Sequence, residues 1–247
     1  QTCALPIFDE LKLNDDYRAQ MFRYTNSFKE ARFLRAYFYF NLVRAYGDVP
    51  YFTEMVTTDQ VNSLTRTPAQ EIFNAIIAEC DKLSTELPAD YTKLGLDGIA
   101  PAENGRVTCY AALALKARAA LYAASPLFNP GNNKDLWRRA AEANKEVIET
   151  CTANGFKLSK YSELWGPNNW SNNEMIFVRR YNGNISTLEE YNFPMGVPGG
   201  NSGNCPTQNM VDAYEMKATG KMWNETGSGY DASNPYAGRD PRFDMTI

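Results

Sequence analysis

Residues 28–46 read FKEARFLRAYFYFNLVRAY, and this stretch decides the fold. Ala31, Leu34, Phe38, Leu42 and Ala45 recur at helical spacing, and Phe33, Tyr37 and Phe40 widen the stripe. The sequence therefore predicts a helix that is apolar over most of its circumference, which belongs at the centre of a core. Gly47 suits the residue after a helix end, and Pro50 blocks continuation. The preceding residues 9–26 are polar and read as an ill-defined lead-in.

Three further helices follow. Thr67, Pro68 and Gln70 have the order of a capping box with proline at the first helical position. Behind them Ile72, Ile76, Cys80 and Leu83 share one face, and Pro88 ends the run. Residues 107–124 are rich in alanine, with Tyr110, Leu113, Ala117, Leu121 and Ala124 on one side, and small residues there let a neighbouring helix approach closely. Residues 134–151 predict a fourth helix with Trp137, Ala140, Ala141, Asn144, Ile148 and Cys151 inward and the pairs Arg138–Glu142 and Lys145–Glu149 outward. Alanine-rich helix pairs followed by proline suggest tetratricopeptide-like stacking. The W-x2-L-G-x2-Y signature is absent, and a plain antiparallel helical array is the alternative.

The character changes after about residue 152. Residues 165–209 hold ten asparagines and six glycines with almost no helical periodicity, and only residues 174–181 (EMIFVRRY) read as a short strand. Long loops on a helical scaffold usually carry function.

Composition narrows the chemistry. The 247 residues contain no histidine, which excludes Ser-His-Asp and Cys-His nucleophiles, His-ligated zinc and proximal-His haem. With 25 basic against 29 acidic residues there is no basic stripe, so no nucleic-acid partner is expected. The five cysteines form no CxxC pair, and Cys80, Cys109 and Cys151 fall in helical patterns as small hydrophobes. No phosphate loop occurs, and Asn132, Asn133 and Asp135 match no calcium loop. No cofactor and no metal are expected. Glu189, Glu190, Asp212 and Glu215 are the carboxylates a glycoside hydrolase would need, but nothing in the sequence pairs them.

What remains is aromatic and amide side chains in loops. Aromatic faces pack on the C–H faces of sugars, and amides hydrogen-bond hydroxyls. On that ground the candidate ligand-binding residues are Trp165, Trp170, Tyr181, Tyr191 and Trp223, with Asn192 and Asn201 as hydrogen bonders. For each, a packed loop anchor is the competing reading.

Five segments then resemble one family, in order. They are EARFLRAYFYFNLVRAYGDVPYFTE (30–54), GRVTCYAALALKARAALYAASPLFN (105–129), DLWRRAAEANKEVIE (135–149), PTQNMVDAYEMKATGK (206–221) and GRDPRFDMTI (238–247). The Y-G-D-V-P and R-D-P-R-F pieces are the more specific. Together they resemble the SusD/RagB family of nutrient-binding outer-membrane lipoproteins. The resemblance implies a mainly α-helical, tetratricopeptide-like array with long irregular ligand-binding loops and little β structure. It implies non-catalytic binding of glycans, in some members peptides, at the bacterial cell surface. Delivery would be to a SusC-like TonB-dependent transporter.

Family members are about twice as long. The expectation is therefore an internal fragment forming one domain over 1–247, with a helical scaffold over about 27–151 and a loop-rich region over about 152–247. Residues 1–8 (QTCALPIF) resemble nothing in the family, and the signal and lipid anchor are expected to lie outside this chain. The rival readings are a cytosolic helical-repeat adaptor for peptides, which needs a regular 34-residue period not seen here, and a glycoside hydrolase.

Overall fold

The computed structural model describes residues 14–94, 105–165, 172–178 and 190–247. By contact density the chain divides into two compact units, Gln1–Arg179 and Arg180–Ile247. The described residues are mainly helical, with long irregular stretches and only isolated β-bridges.

The first unit contains α1 (Asp15–Tyr46), α2 (Thr58–Ser63), α3 (Ala69–Glu86), α4 (Cys109–Ala124) and α5 (Lys134–Ala153), with single 3-10 helices at Tyr91–Lys93 and Tyr161–Trp165. The long helices stack in sequence: α3 packs between α1 and α4, and α4 between α3 and α5. Helices α3 and α4 each bury one face against the long helix before and another against the long helix after. This is the expected tetratricopeptide-like array. None of the described helices is long and apolar enough to cross a membrane.

Helix α1 starts well before the apolar stretch. The Asn14 side chain caps it by accepting the Tyr17 N–H at 3.0 Å, so residues 15–26 are helix and not a lead-in. Its inner face carries Phe33, Ala36, Tyr39, Phe40 and Val43. The stripe read from the sequence points elsewhere: Phe38 is 58% exposed and Leu42 42%. A helix apolar nearly all round offers two candidate stripes, and hydropathy alone does not choose between them. The choice is made by α3 and α4, whose Phe73 and Tyr122 rings meet Phe40 at centroid distances of 6.5 and 5.1 Å.

The alanines of α4 do what their size predicts. Ala112, Ala119, Ala120, Ala123 and Ala124 are buried in the same core as Ala140 and Ala143 of α5. The inward face of α5 is rotated from the expected one, because Ile148 is 65% exposed and Ala143 takes a core position. Leu121 is likewise exposed.

Polar ties cross between helices. Arg32 of α1 donates to Glu79 at 2.6 Å and Glu86 at 2.5 Å, both on α3. Lys116 of α4 bridges Asp81 of α3 at 2.5 Å and Glu146 of α5 at 2.7 Å. Glu30 of α1 takes a two-pronged contact from Arg106, at 2.7 and 2.6 Å. Beside it the Tyr91 hydroxyl accepts from buried Asn26 at 2.8 Å and donates to the Val107 carbonyl at 2.8 Å.

The Y-G-D-V-P segment is a corner. Gly47 takes φ 70° and returns its N–H to the Val43 carbonyl. Val49 pairs with Thr67 as an isolated bridge. That bridge occupies Thr67, so the predicted capping box does not form. Pro68 is the cap residue without a side-chain bond, and Asp48 supplies the missing acceptor to Ala69 N–H. The capping box of this unit sits instead at Thr57 and Gln60, opening α2. The described part of the predicted strand, residues 174–178, consists of turns and bends.

In the second unit the described residues form a folded loop over 190–204, the short helix α6 (Gln208–Asp212) and a segment to residue 247. The R-D-P-R-F motif organises that segment. Arg239 is buried, donates to the carbonyls of Pro235 and Tyr214 at 3.0 and 2.9 Å, and lies over the Tyr230 ring. Phe243 is buried between the rings of Tyr214 and Tyr236. Asp240 closes the turn by accepting from Arg242, which holds its carboxyl down at about 2.

Candidate functional site

Three of the seven sequence-derived candidates meet in one loop. Residues 190–204 fold back on themselves: Asn201 N–H donates to the Glu190 carbonyl, Ser202 N–H to Phe193 and Asn204 N–H to Tyr191, at 2.8 to 3.0 Å. Ser202, at φ 54°, turns the chain, and its hydroxyl accepts from Met195 N–H at 2.7 Å. The loop is therefore held by its own backbone.

Tyr191 stands on this frame with 53% of its surface exposed. A Cβ on Gly203 would fall on the Tyr191 ring, so the ring rests directly on the peptide backbone there. Only glycine permits that approach. One side of the ring is thus backed by the chain while the residue stays open to solvent.

The amides beside it are oriented. Asn192 Oδ1 accepts from the Asn204 side chain at 2.8 Å, and Asn201 Oδ1 accepts from Gly203 N–H at 3.1 Å. Both oxygens are engaged, and the side-chain N–H2 groups of Asn192 and Asn201 have no protein partner among the described residues. A fixed aromatic surface flanked by two directed donors suits a ring with one apolar face and hydroxyls at its rim.

Trp223 lies elsewhere in the same unit. It is half-buried, its ring meets Tyr230 edge-on at 5.4 Å, and its carbonyl accepts from Ser228. Trp165 ends a 3-10 helix, and its side chain lies outside the described residues, as do Trp170 and Tyr181. Sequence reasoning missed Gly203 and Asn204, the two residues that fix Tyr191 and Asn192. The run GGNSGN gave a signal for turns but none for which ring a glycine would support.

Cysteine chemistry is muted. Burial pushes the Cys80 thiol up to about 12, and burial also raises Cys109 and Cys151. Among the described residues no group of Cys, Asp and Glu is placed to hold a metal ion.

Comparison with known proteins adds the family. The model of a SusD-like family, described as starch-binding and associating with the outer membrane, matches residues 2–121. A SusD-like protein of Formosa agariphila is 25% identical over 236 residues, covering 87% of this chain and 40% of the relative. A second SusD-like protein from that organism is 28% identical over 162 residues, covering 64% and 28%. A crystal structure of a SusD-like carbohydrate-binding protein from Bacteroides fragilis superposes with a TM-score of 0.67 at 28% identity, over 87% of this chain and 39% of that one. Another SusD-like protein from Bacteroides fragilis gives 0.66 at 28%, over 87% and 41%. The chain spans less than half the length of each of these relatives. The motifs, the family model over residues 2–121 and the shared helical fold agree: the chain is similar to the SusD-like family.

Proposed function

We propose that this chain is part of a cell-surface protein that binds glycans without cleaving them and hands them to a SusC-like TonB-dependent transporter in the outer membrane. The observation that carries the binding step is the Tyr191 ring backed by Gly203, with the Asn192 and Asn201 donors beside it. Support for the sugar class comes from the starch-binding description of the matching family. It comes also from the carbohydrate-binding relative with the same fold.

Binding at such a surface is modest. A few stacked rings at about 0.5–1.5 kcal/mol each, less the cost of ordering the ligand, give a Kd between about micromolar and millimolar. The recognised motifs Y-G-D-V-P and R-D-P-R-F build corners and packing, which supports a binding scaffold. A lipid anchor and the transporter contact belong to the full-length protein in this reading.

Affinity electrophoresis tests it. Migration through gels containing starch, xylan, mannan or β-glucan is expected to be retarded by at least one polysaccharide, with no reducing ends released from the one that binds. Unretarded migration in every gel, or reducing-end release that vanishes on changing one carboxylate, would contradict it.

A further inference from the structure

A groove lies wholly within the helical unit, and none of Tyr191, Asn192, Asn201 and Trp223 lines it. It encloses about 740 Å³ and adjoins a smaller recess of about 170 Å³, the two sharing Asp90, Thr92, Tyr110, Phe156 and Met175. Its floor is apolar. Tyr110, in the first turn of α4, meets Phe156 edge-on at 4.9 Å, and Met175 lies beside them.

The walls are polar and already oriented. Asn172 Oδ1 accepts both the Ser159 hydroxyl at 2.5 Å and Glu174 N–H at 2.9 Å. Its N–H2 group has no protein partner among the described residues. Asn154 is fixed in the opposite sense: its N–H2 donates to the Thr150 carbonyl at 2.8 Å, leaving Oδ1 as an acceptor. Across the groove Asp90 Oδ1 accepts from Thr92 N–H and hydroxyl at 2.8 and 2.6 Å, and Oδ2 stands 3.3 Å from Lys93. The groove thus shows one directed donor, one directed acceptor and one carboxylate over an aromatic floor.

We propose that this groove is a second glycan subsite, selective for uncharged sugar residues. The inference rests on the glycan-binding reading above and adds a site to it. A peptide strand would seek unpaired backbone groups, whereas Phe156 and Met175 N–H and the Asn173 carbonyl are all engaged by the protein. The Asp90 charge is already met by Lys93 at 3.3 Å, so an uncharged sugar suits this wall, whereas a charged one would have to compete with that pair. Alternating hydroxyl donors and acceptors on a neutral chain match the wall, and C–H faces match the floor. A volume of this size is in the ordinary range for small-ligand sites, about 300–1,000 Å³.

Calorimetric titration of the full chain with maltoheptaose, xylohexaose, mannohexaose and cellohexaose, and with tetragalacturonate as the anionic control, tests this. Asn172→Asp keeps the oxygen that holds Ser159 and Glu174 N–H but turns the donor into a charged acceptor, and Phe156→Leu removes one of the two rings of the floor. Each is expected to weaken binding of the neutral ligand about fivefold to tenfold, the loss of about one hydrogen bond or ring contact, with the melting curve of Asn172→Asp unchanged. If both variants bind as the parent does while Tyr191→Ala binds more weakly, the groove inference is overturned and the glycan reading stands. If tetragalacturonate or an unstructured peptide competes from the groove, the inference is also overturned. Failure of every oligosaccharide to bind the parent protein overturns both.

Discussion

Asp48 Oδ1 accepts the backbone N–H of Ala69 at 2.7 Å, across 21 residues of chain. Ala69 is the first residue of α3, where the helix has an unpaired N–H and Pro68 offers no side-chain acceptor. The aspartate of Y-G-D-V-P is therefore a cap delivered from a distance, and its charge also suits the positive end of the helix. Removing it in Asp48→Ala is expected to cost about 1–2 kcal/mol, while Asp48→Asn retains most of that. Chemical denaturation measures both; equal losses would mean that charge, not the hydrogen bond, is what matters.

Two neighbouring phenylalanines of α1 separate the core face from the open one. Phe40 is 2% exposed and Phe38 58%. Phe40→Ala is expected to destabilise the fold by about 3–5 kcal/mol, and Phe38→Ala by less than about 1 kcal/mol. The same denaturation curves give both values, and a Phe38→Ala loss as large as that of Phe40→Ala would contradict the placement of α1.

The helical order was legible because most cores here are built from periodic apolar residues. Ile72, Ile76, Cys80 and Leu83 are buried where the spacing puts them. The start of α1 was not legible, because what residues 15–30 bury is a polar network of Asn26, Glu30 and Tyr91 that hydropathy does not mark. The face of α1 was ambiguous for the opposite reason, both sides being apolar. The cap of α3 was misplaced because its acceptor comes from Asp48, outside the local window. In the candidate loop, Tyr191, Asn192 and Asn201 were legible by residue type, but the contact of Gly203 with Tyr191 joins positions 12 apart through a turn that no local rule specifies.

Burial keeps the Tyr91 phenol neutral well above its ordinary value of 10.0. In the unfolded chain the proton leaves near that ordinary value, whereas in the folded state it stays, so stability is intact below about pH 10 and falls as pH rises beyond it. The slope attributable to this group approaches about 1.4 kcal/mol per pH unit. Tyr91→Phe lowers stability at neutral pH by losing the bonds to Asn26 and Val107 but flattens the alkaline slope. Thermal melts from pH 8 to 11 test this, and identical slopes in parent and variant would refute it.

Gly203→Ala places a methyl where the Tyr191 ring lies. The ring has to move, so glycan affinity is expected to fall at least about threefold while the helical unit melts unchanged, a small side-chain displacement being worth under about 1 kcal/mol. Unaltered affinity would show that the position of Tyr191 is irrelevant to binding.

The central claim is that this chain binds glycan through the Tyr191 loop, and one titration tests it most directly. The oligosaccharide that the parent protein binds is titrated into Tyr191→Ala, with Phe38→Ala as an exposed-aromatic control. Loss of a stacked ring together with its ordered neighbours is expected to weaken binding about tenfold in the Tyr191 variant and to leave the control unchanged. Parental affinity in Tyr191→Ala, or equal losses in both variants, would contradict the assignment.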